Sequence, residues 1–160
     1  MWQRHHWLGV GRNSAGFTLL ELIVNMATIG ILAAIAIPAY FSFREKAKIT
    51  QANSELKNIH LAIDTNRWPG PQSVGVTADQ EIWDLSTSSA GLVKTNGNFP
   101  NWNGPYLKSV PKDPWGSNYF FDPDYYIGGV QYPALGSFGP NKCCRNTYDS
   151  DDVVLVLPTN

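Results

Sequence analysis

The sequence predicts an α+β chain: one long N-terminal α-helix, half apolar and half amphipathic, packed on a small C-terminal antiparallel sheet. Three observations carry this. Nearly all the continuous apolar sequence lies in residues 17–43. Beyond it, Ala47, Ile49 or Thr50, Ala52, Leu56, Ile59, Ala62 and Ile63 recur at three- and four-residue spacings, the mark of a helix with one face on a core. Near the C-terminus come short aromatic or β-branched segments separated by turn residues, which read as strands.

The apolar half is long enough to cross a membrane. Residues 17–38 span about 33 Å as a helix at roughly 1.5 Å per residue, against a hydrocarbon core of about 30 Å. The polar stretch before it, residues 1–16, carries Arg4, His5, His6 and Arg12 and has no apolar core of its own. In a secretory signal the apolar stretch precedes the cleavage site and is lost with it. Here Ser14, Ala15 and Gly16 come first, so a cut there keeps the apolar helix. The positive flank places the leader in the cytoplasm and the C-terminal part across the membrane.

Hydropathy alone favours an uncleaved signal anchor. Glu21 argues against that reading. A carboxylate inside a bilayer costs about 2.5–3.5 kcal/mol on insertion scales, and a plain anchor gains nothing from it. An amine freed at Phe17 is an obvious partner, and a helix N-terminus also favours a nearby carboxylate.

The run Gly16-Phe17-Thr18-Leu19-Leu20-Glu21, followed by an apolar stretch with Pro38 and Tyr40, resembles the processing signal and N-terminal helix of type IV prepilins and pseudopilins. The resemblance implies a pilin fold. It implies that a prepilin peptidase cuts between Gly16 and Phe17 and N-methylates Phe17. It also implies that Glu21 pairs with the methylated amine of a neighbouring subunit during assembly. Ala15 departs from the family, where Lys or Arg is frequent before the glycine. Pro38 lacks an amide hydrogen and is expected to kink or loosen the helix.

The head is expected over residues 44–160, as an amphipathic helix at 44–66, a loop region at 67–117, and a sheet with an acidic loop at 118–157. Arg44, Glu45, Lys46, Lys48, Glu55 and Lys57 sit mostly off the apolar face and read as solvated. The helix should stop before Arg67-Trp68-Pro69-Gly70-Pro71. Short turns or helices are expected at 79–85 and 90–93, and strands at 118–121, 125–127, 132–138 and 153–157. The stretch Gly104-Pro105-Tyr106-Leu107, with Val110-Pro111-Lys112-Asp113-Pro114-Trp115-Gly116-Ser117-Asn118-Tyr119, is similar to a signature of the major pseudopilin of type II secretion. Physically, Asp-Pro-Trp-Gly is a turn in which Pro fixes one φ, Gly frees another and Trp covers the core.

Residues 137–153 resemble that group's calcium loop. The match implies side-chain oxygens from Asp151 and Asp152, with backbone carbonyls from Phe138 and around Asp149. Asn141 stands where the family often has Asp and offers a neutral oxygen. Calcium takes six to eight hard oxygens of these kinds. From charge alone, the same carboxylates read as a solvated turn before the last strand. Cys143 and Cys144 fall inside this loop. Adjacent Cα atoms lie about 3.8 Å apart, short of the usual disulfide span, so a strained vicinal disulfide, free thiols and bonds to another chain are the readings of the pair.

Charge and motifs narrow the function. The formal net charge is −1, and loss of Arg4 and Arg12 with the leader takes it to −3, so no nucleic-acid partner is expected. The only histidines are His5, His6 and His60, and no Ser/His/Asp order, HExxH or P-loop occurs, so no enzyme is expected. The resemblance instead implies a structural subunit polymerising through its N-terminal helix into a type II secretion pseudopilus that drives protein export. The alternative is the major pilin of an adhesive or motility pilus. The implied partners are further copies of the chain, the prepilin peptidase, an inner-membrane assembly platform with minor pilins, and membrane lipid before assembly. The implied location is a single pass of the inner membrane, then a periplasmic or surface filament. A membrane-tethered ligand-binding module is the reading from another class, and it has no need of Glu21.

Overall fold

A computed structural model describes residues 16–65 and 80–158. The leader and the Trp68-Pro69 segment lie outside the described residues. The chain divides into two units after Ser42.

Helix α1 runs Leu19–Thr65. Its start is a capping box: the Thr18 amide donates to Glu21 Oε2 at 2.9 Å, and the Glu21 amide donates to Thr18 Oγ1 at 3.2 Å. Two of the amides that every helix start leaves unpaired are thereby satisfied. The helix is continuous through Pro38, one long element as expected. Proline removes one amide donor, and in a helix of 47 residues that single bond is outweighed by the Ala- and Ile-rich turns flanking it. In the first unit the helix exposes its apolar side chains, among them Leu19, Ile23, Ile29, Leu32 and Ile35.

In the second unit, α1 turns Ala52, Leu56 and Ile59 inward, all buried, with Ile63 packed beside them. Ala47 and Ile49 or Thr50 were expected on this face, and all three are instead exposed, because the 52–56–59–63 spacing selects a narrower stripe. These side chains meet Leu85, Leu92, Trp115, Tyr119, Phe121, Leu135, Val153 and Leu157 in one core. Two long-range bonds fasten the helix to it. The Trp115 indole donates to Glu45 Oε2 at 3.0 Å, and the Tyr119 hydroxyl donates to Glu55 Oε2.

The sheet comprises β1 (Phe120–Ile127), β2 (Val130–Ser137) and β3 (Val153–Val156), antiparallel in the order β1-β2-β3. Gly128 and Gly129, both at positive φ, make the two-residue hairpin that pairs Ile127 with Val130. The two strands expected at 118–121 and 125–127 are one. Pro123 does not end the strand but creates a bulge, since pairing passes from Asp122↔Ala134 to Tyr125↔Tyr132 with one extra residue on β1. The bulge has a consequence for side-chain direction. A one-residue shift reverses the alternation, so Tyr125 joins Phe120 on the face away from α1. There Phe120, Tyr125 and Ala134 form a second cluster with Trp83, Phe138, Tyr148 and Val154. Ile82 bridges Phe121 along the free side of β1, with bonds of 2.8 and 2.9 Å.

Candidate functional site

The features marked by sequence fall into two places: the start of α1, and a loop covering the second aromatic cluster. At the start of α1, Phe17 is 78% exposed, and a Cβ added to Gly16 would meet open space. The chain's own fold therefore gives no steric reason for glycine at this position. Glu21 is held by Thr18, whose hydroxyl donates to Oε2 at 2.8 Å. This role went unread in the sequence, although Thr18-x-x-Glu21 is the standard signal for a capping box.

The loop follows β2. Ser137 is fully buried, and its hydroxyl donates to Asp113 Oδ2 while accepting the Gly139 amide at 3.1 Å. Asp113 Oδ1 accepts the amides of Trp115 at 3.1 Å and Ser117 at 2.7 Å. The Asp-Pro-Trp-Gly turn and the root of the loop thus share one buried carboxylate. Sequence reasoning assigned work to the Pro, Trp and Gly of this turn and missed its Asp. The signal was available, since Asp accepting amides two residues on is the ordinary Asx turn.

A single 3₁₀ turn spans Gly139–Asn141. Gly139 has φ +62°, and a Cβ there would lie 1.9 Å from the Asp151 carbonyl oxygen. Only glycine lets the two arms of the loop approach so closely. Asn141 then ties them: its Nδ2 donates to Asp149 Oδ2 at 2.9 Å while its Oδ1 accepts the Cys143 amide at 2.9 Å. Asp149 Oδ1 accepts the Asp151 amide at 2.9 Å. Cys143 and Cys144 are joined by a disulfide. Phe138 packs its ring on Trp83 and Phe120, and Arg145 lies over Trp83.

Asp152 turns inward. Its Oδ2 accepts the Tyr125 hydroxyl at 2.7 Å, and its buried Oδ1 has no partner among the described residues. Burial pushes its carboxyl up to about 6, helped by the charges of Asp149 and Asp151. Asp122 is fully buried beneath the same loop. Burial, with the nearby Asp124 and Glu81, raises it to about 7. Tyr148 covers the site from the loop, stacked edge-on to Tyr125 at 4.6 Å.

The five residues expected at a calcium site are therefore brought together in part. The arms carrying Phe138 and Asn141 on one side and Asp149, Asp151 and Asp152 on the other are held in contact. Among the described residues, no three Asp, Glu, His or Cys side chains converge as metal ligands. The hard oxygens that the loop presents are carboxylates, the buried Asp152 Oδ1 among them, and backbone carbonyls.

Residues 39–153 match the family model of type II secretion system protein G. The chain is 35% identical over 135 residues to the type II secretion system core protein G of Pseudomonas aeruginosa, covering 81% of this chain and 80% of that one. It is 33% identical over 129 residues to the protein of the same name from Vibrio cholerae, covering 80% and 84%. Similarity to a fimbrial protein of Pseudomonas aeruginosa, 34% over 83 residues, reaches 51% of this chain and 54% of that one. The crystal structure of the major pseudopilin from the type 2 secretion system of enterohaemorrhagic Escherichia coli aligns with 71% of this chain and 86% of that one, at 24% identity and a TM-score of 0.48. The chain belongs to the protein G family of type II secretion systems.

Proposed function

We propose that this chain is a non-enzymatic filament subunit: a prepilin peptidase cuts between Gly16 and Phe17 and methylates Phe17, and the mature chain polymerises through α1 into a pseudopilus that drives protein export. The observation that carries the reading is the first unit of α1. Its apolar side chains are exposed all round, with a single carboxylate, Glu21, at the start. A helix apolar on every side needs a lipid or protein environment. Lipid serves before assembly and neighbouring copies of the same helix afterwards. The absence of any steric demand for glycine at Gly16 supports recognition of that residue by the peptidase. The fimbrial relatives favour a surface pilus as the second reading, over about half of the chain.

The test is Glu21→Gln in the full chain. Glutamine keeps the capping box but cannot pair with the Phe17 amine as an anion. Cells producing this variant should process it normally and yield no sheared filaments. Undiminished filament yield would remove the proposed pairing.

The same reading gives the loop a bound calcium. Asp151 and Asp152 supply side-chain oxygens, and Phe138 and the backbone around Asp149 supply carbonyls. Asn141 spends its side chain holding the arms together. An ion here neutralises the three carboxylates crowded at the end of the loop. Addition of calcium to the chelator-treated full chain in detergent should raise its melting temperature, and no shift would sink the assignment.

A further inference from the structure

We propose that the Cys143–Cys144 disulfide is a reactive site for thiol–disulfide exchange, reduced by a dithiol that enters the cleft beside it. The site belongs to the head alone and does not depend on assembly into a filament.

A disulfide stabilises a fold mainly by closing a loop of chain, and more so for a longer loop. This one joins neighbouring residues and closes none. The two arms of the acidic loop are held elsewhere, by the bond from Asn141 to Asp149 and by the approach of Gly139 to the Asp151 carbonyl. The disulfide therefore contributes little as a staple, and its surroundings are those of a reactive group. Both cysteines are exposed. Both line an open cleft of about 350 Å³, together with Trp83, Phe138, Lys142 and Arg145. Reactive sulfurs sit in such accessible, electropositive surroundings.

Exchange begins when a thiolate, an anion, attacks a disulfide sulfur. Lys142 and Arg145 flank the pair and draw that anion in; among the described residues neither forms an ion pair. The acidic loop adjoins the cleft, but Asp149 is turned to Asn141 and to the Asp151 amide. Among the described residues no acidic side chain lines the cleft itself. Cys144 also reaches the wall of the aromatic pocket with Phe120 and Tyr125, which leaves Cys143 the more open sulfur.

One thiolate of the dithiol attacks Cys143 Sγ. A bond forms between these sulfurs, the Cys143–Cys144 bond breaks, and its electron pair leaves on Cys144 Sγ beside Arg145. The second thiolate then attacks the first sulfur of the same dithiol, and the Cys143 thiolate leaves. Two electrons pass to the protein, the dithiol becomes a disulfide, and its two protons end on Cys143 and Cys144. A monothiol does not complete this sequence. The freed Cys144 thiolate is tethered one residue away and expels it before a second monothiol arrives. Reduction is felt in the loop through two bonds, from the Cys143 amide to Asn141 Oδ1 and from the Thr147 amide to the Cys144 carbonyl.

The test uses the full chain. N-ethylmaleimide applied to intact cells should label neither cysteine, and both should be labelled after reduction, as read by intact mass. On the protein purified in detergent, dithiothreitol should reduce the pair, while glutathione supplying the same amount of thiol should leave it oxidised. Reduced thioredoxin provides a protein dithiol. Reaction with either dithiol supports the site, and reaction with one alone identifies the source as small molecule or protein. Lys142→Gln with Arg145→Gln should slow the reaction about tenfold at low salt, and high salt should close the gap. Labelling of both cysteines before reduction, equal reduction by glutathione, or an unchanged rate in the variant would overturn the proposal. So would unfolding of the head on reduction at room temperature, seen by circular dichroism, since the disulfide would then be a staple.

Discussion

Glu21 shows how one side chain carries two demands. Within the chain it closes the capping box with Thr18, and the filament reading asks it also to meet an amine from a neighbour. Gln separates these demands, whereas Ala would disturb both. Gly139 is constrained differently, by positive φ and by the Asp151 carbonyl against its Cα. Gly139→Ala should destabilise the head by about 1–3 kcal/mol and weaken calcium binding, as read by urea unfolding and calcium titration. Asp113 accepts two amides and the Ser137 hydroxyl while buried. Asp113→Ala leaves those donors stranded and should cost about 3 kcal/mol in urea unfolding, loosening the turn and the loop root together.

Asp122 and Asp152 make the head sensitive to pH. Burial raises Asp122 to about 7 and Asp152 to about 6, from an ordinary 3.8. The folded state thus holds protons more tightly than the unfolded chain. The stability this contributes is full below about pH 4 and is lost as pH rises through 6 to 7. Melting without calcium should therefore occur about 5 °C higher at pH 5 than at pH 8. Asp122→Asn should flatten that dependence and raise the melting temperature at pH 8. An unchanged profile would show that Asp122 does not govern it.

Among the elements, α1 illustrates how one helix serves two environments. Its first unit is apolar all round, and its second keeps a single inward stripe of Ala52, Leu56 and Ile59. Leu56→Ala should cost about 2–5 kcal/mol in chemical unfolding, while exposed Leu61→Ala should stay within about 0.5 kcal/mol. Equal effects would mean the stripe is misplaced. The helix, with Pro38 inside it, was legible from its apolar run and its three- and four-residue spacing. In β1 a proline did mislead. Pro123 reads as a strand boundary, yet the pairing with β2 persists on both sides and absorbs it as a bulge.

Across the molecule, the reading joins a processing signal, a polymerising helix and a head whose acidic loop closes over the second aromatic cluster. Calcium, where bound, would act on the head through this loop, because Asp149 and Asp152 tie it to Asn141 and to Tyr125 of β1. Chelation should therefore shorten or destabilise filaments as well as lower the melting temperature of the subunit.

The start of α1, the inward helical stripe and the acidic loop could all be read from the residues, since each rests on local order: a glycine before an apolar run, a periodicity, a cluster of charge. The direction of Tyr125 could not. It depends on the bulge at Pro123, which exists only because β2 pairs with β1 on both sides of it. The closeness of Gly139 to Asp151, the sharing of Asp113 between a turn and a loop, and the bond from Tyr125 to Asp152 likewise join residues far apart in the chain. Local propensity carries no information on such meetings. Packing of the sheet against α1 brings them about, and with them the loop at which the head's charge is concentrated.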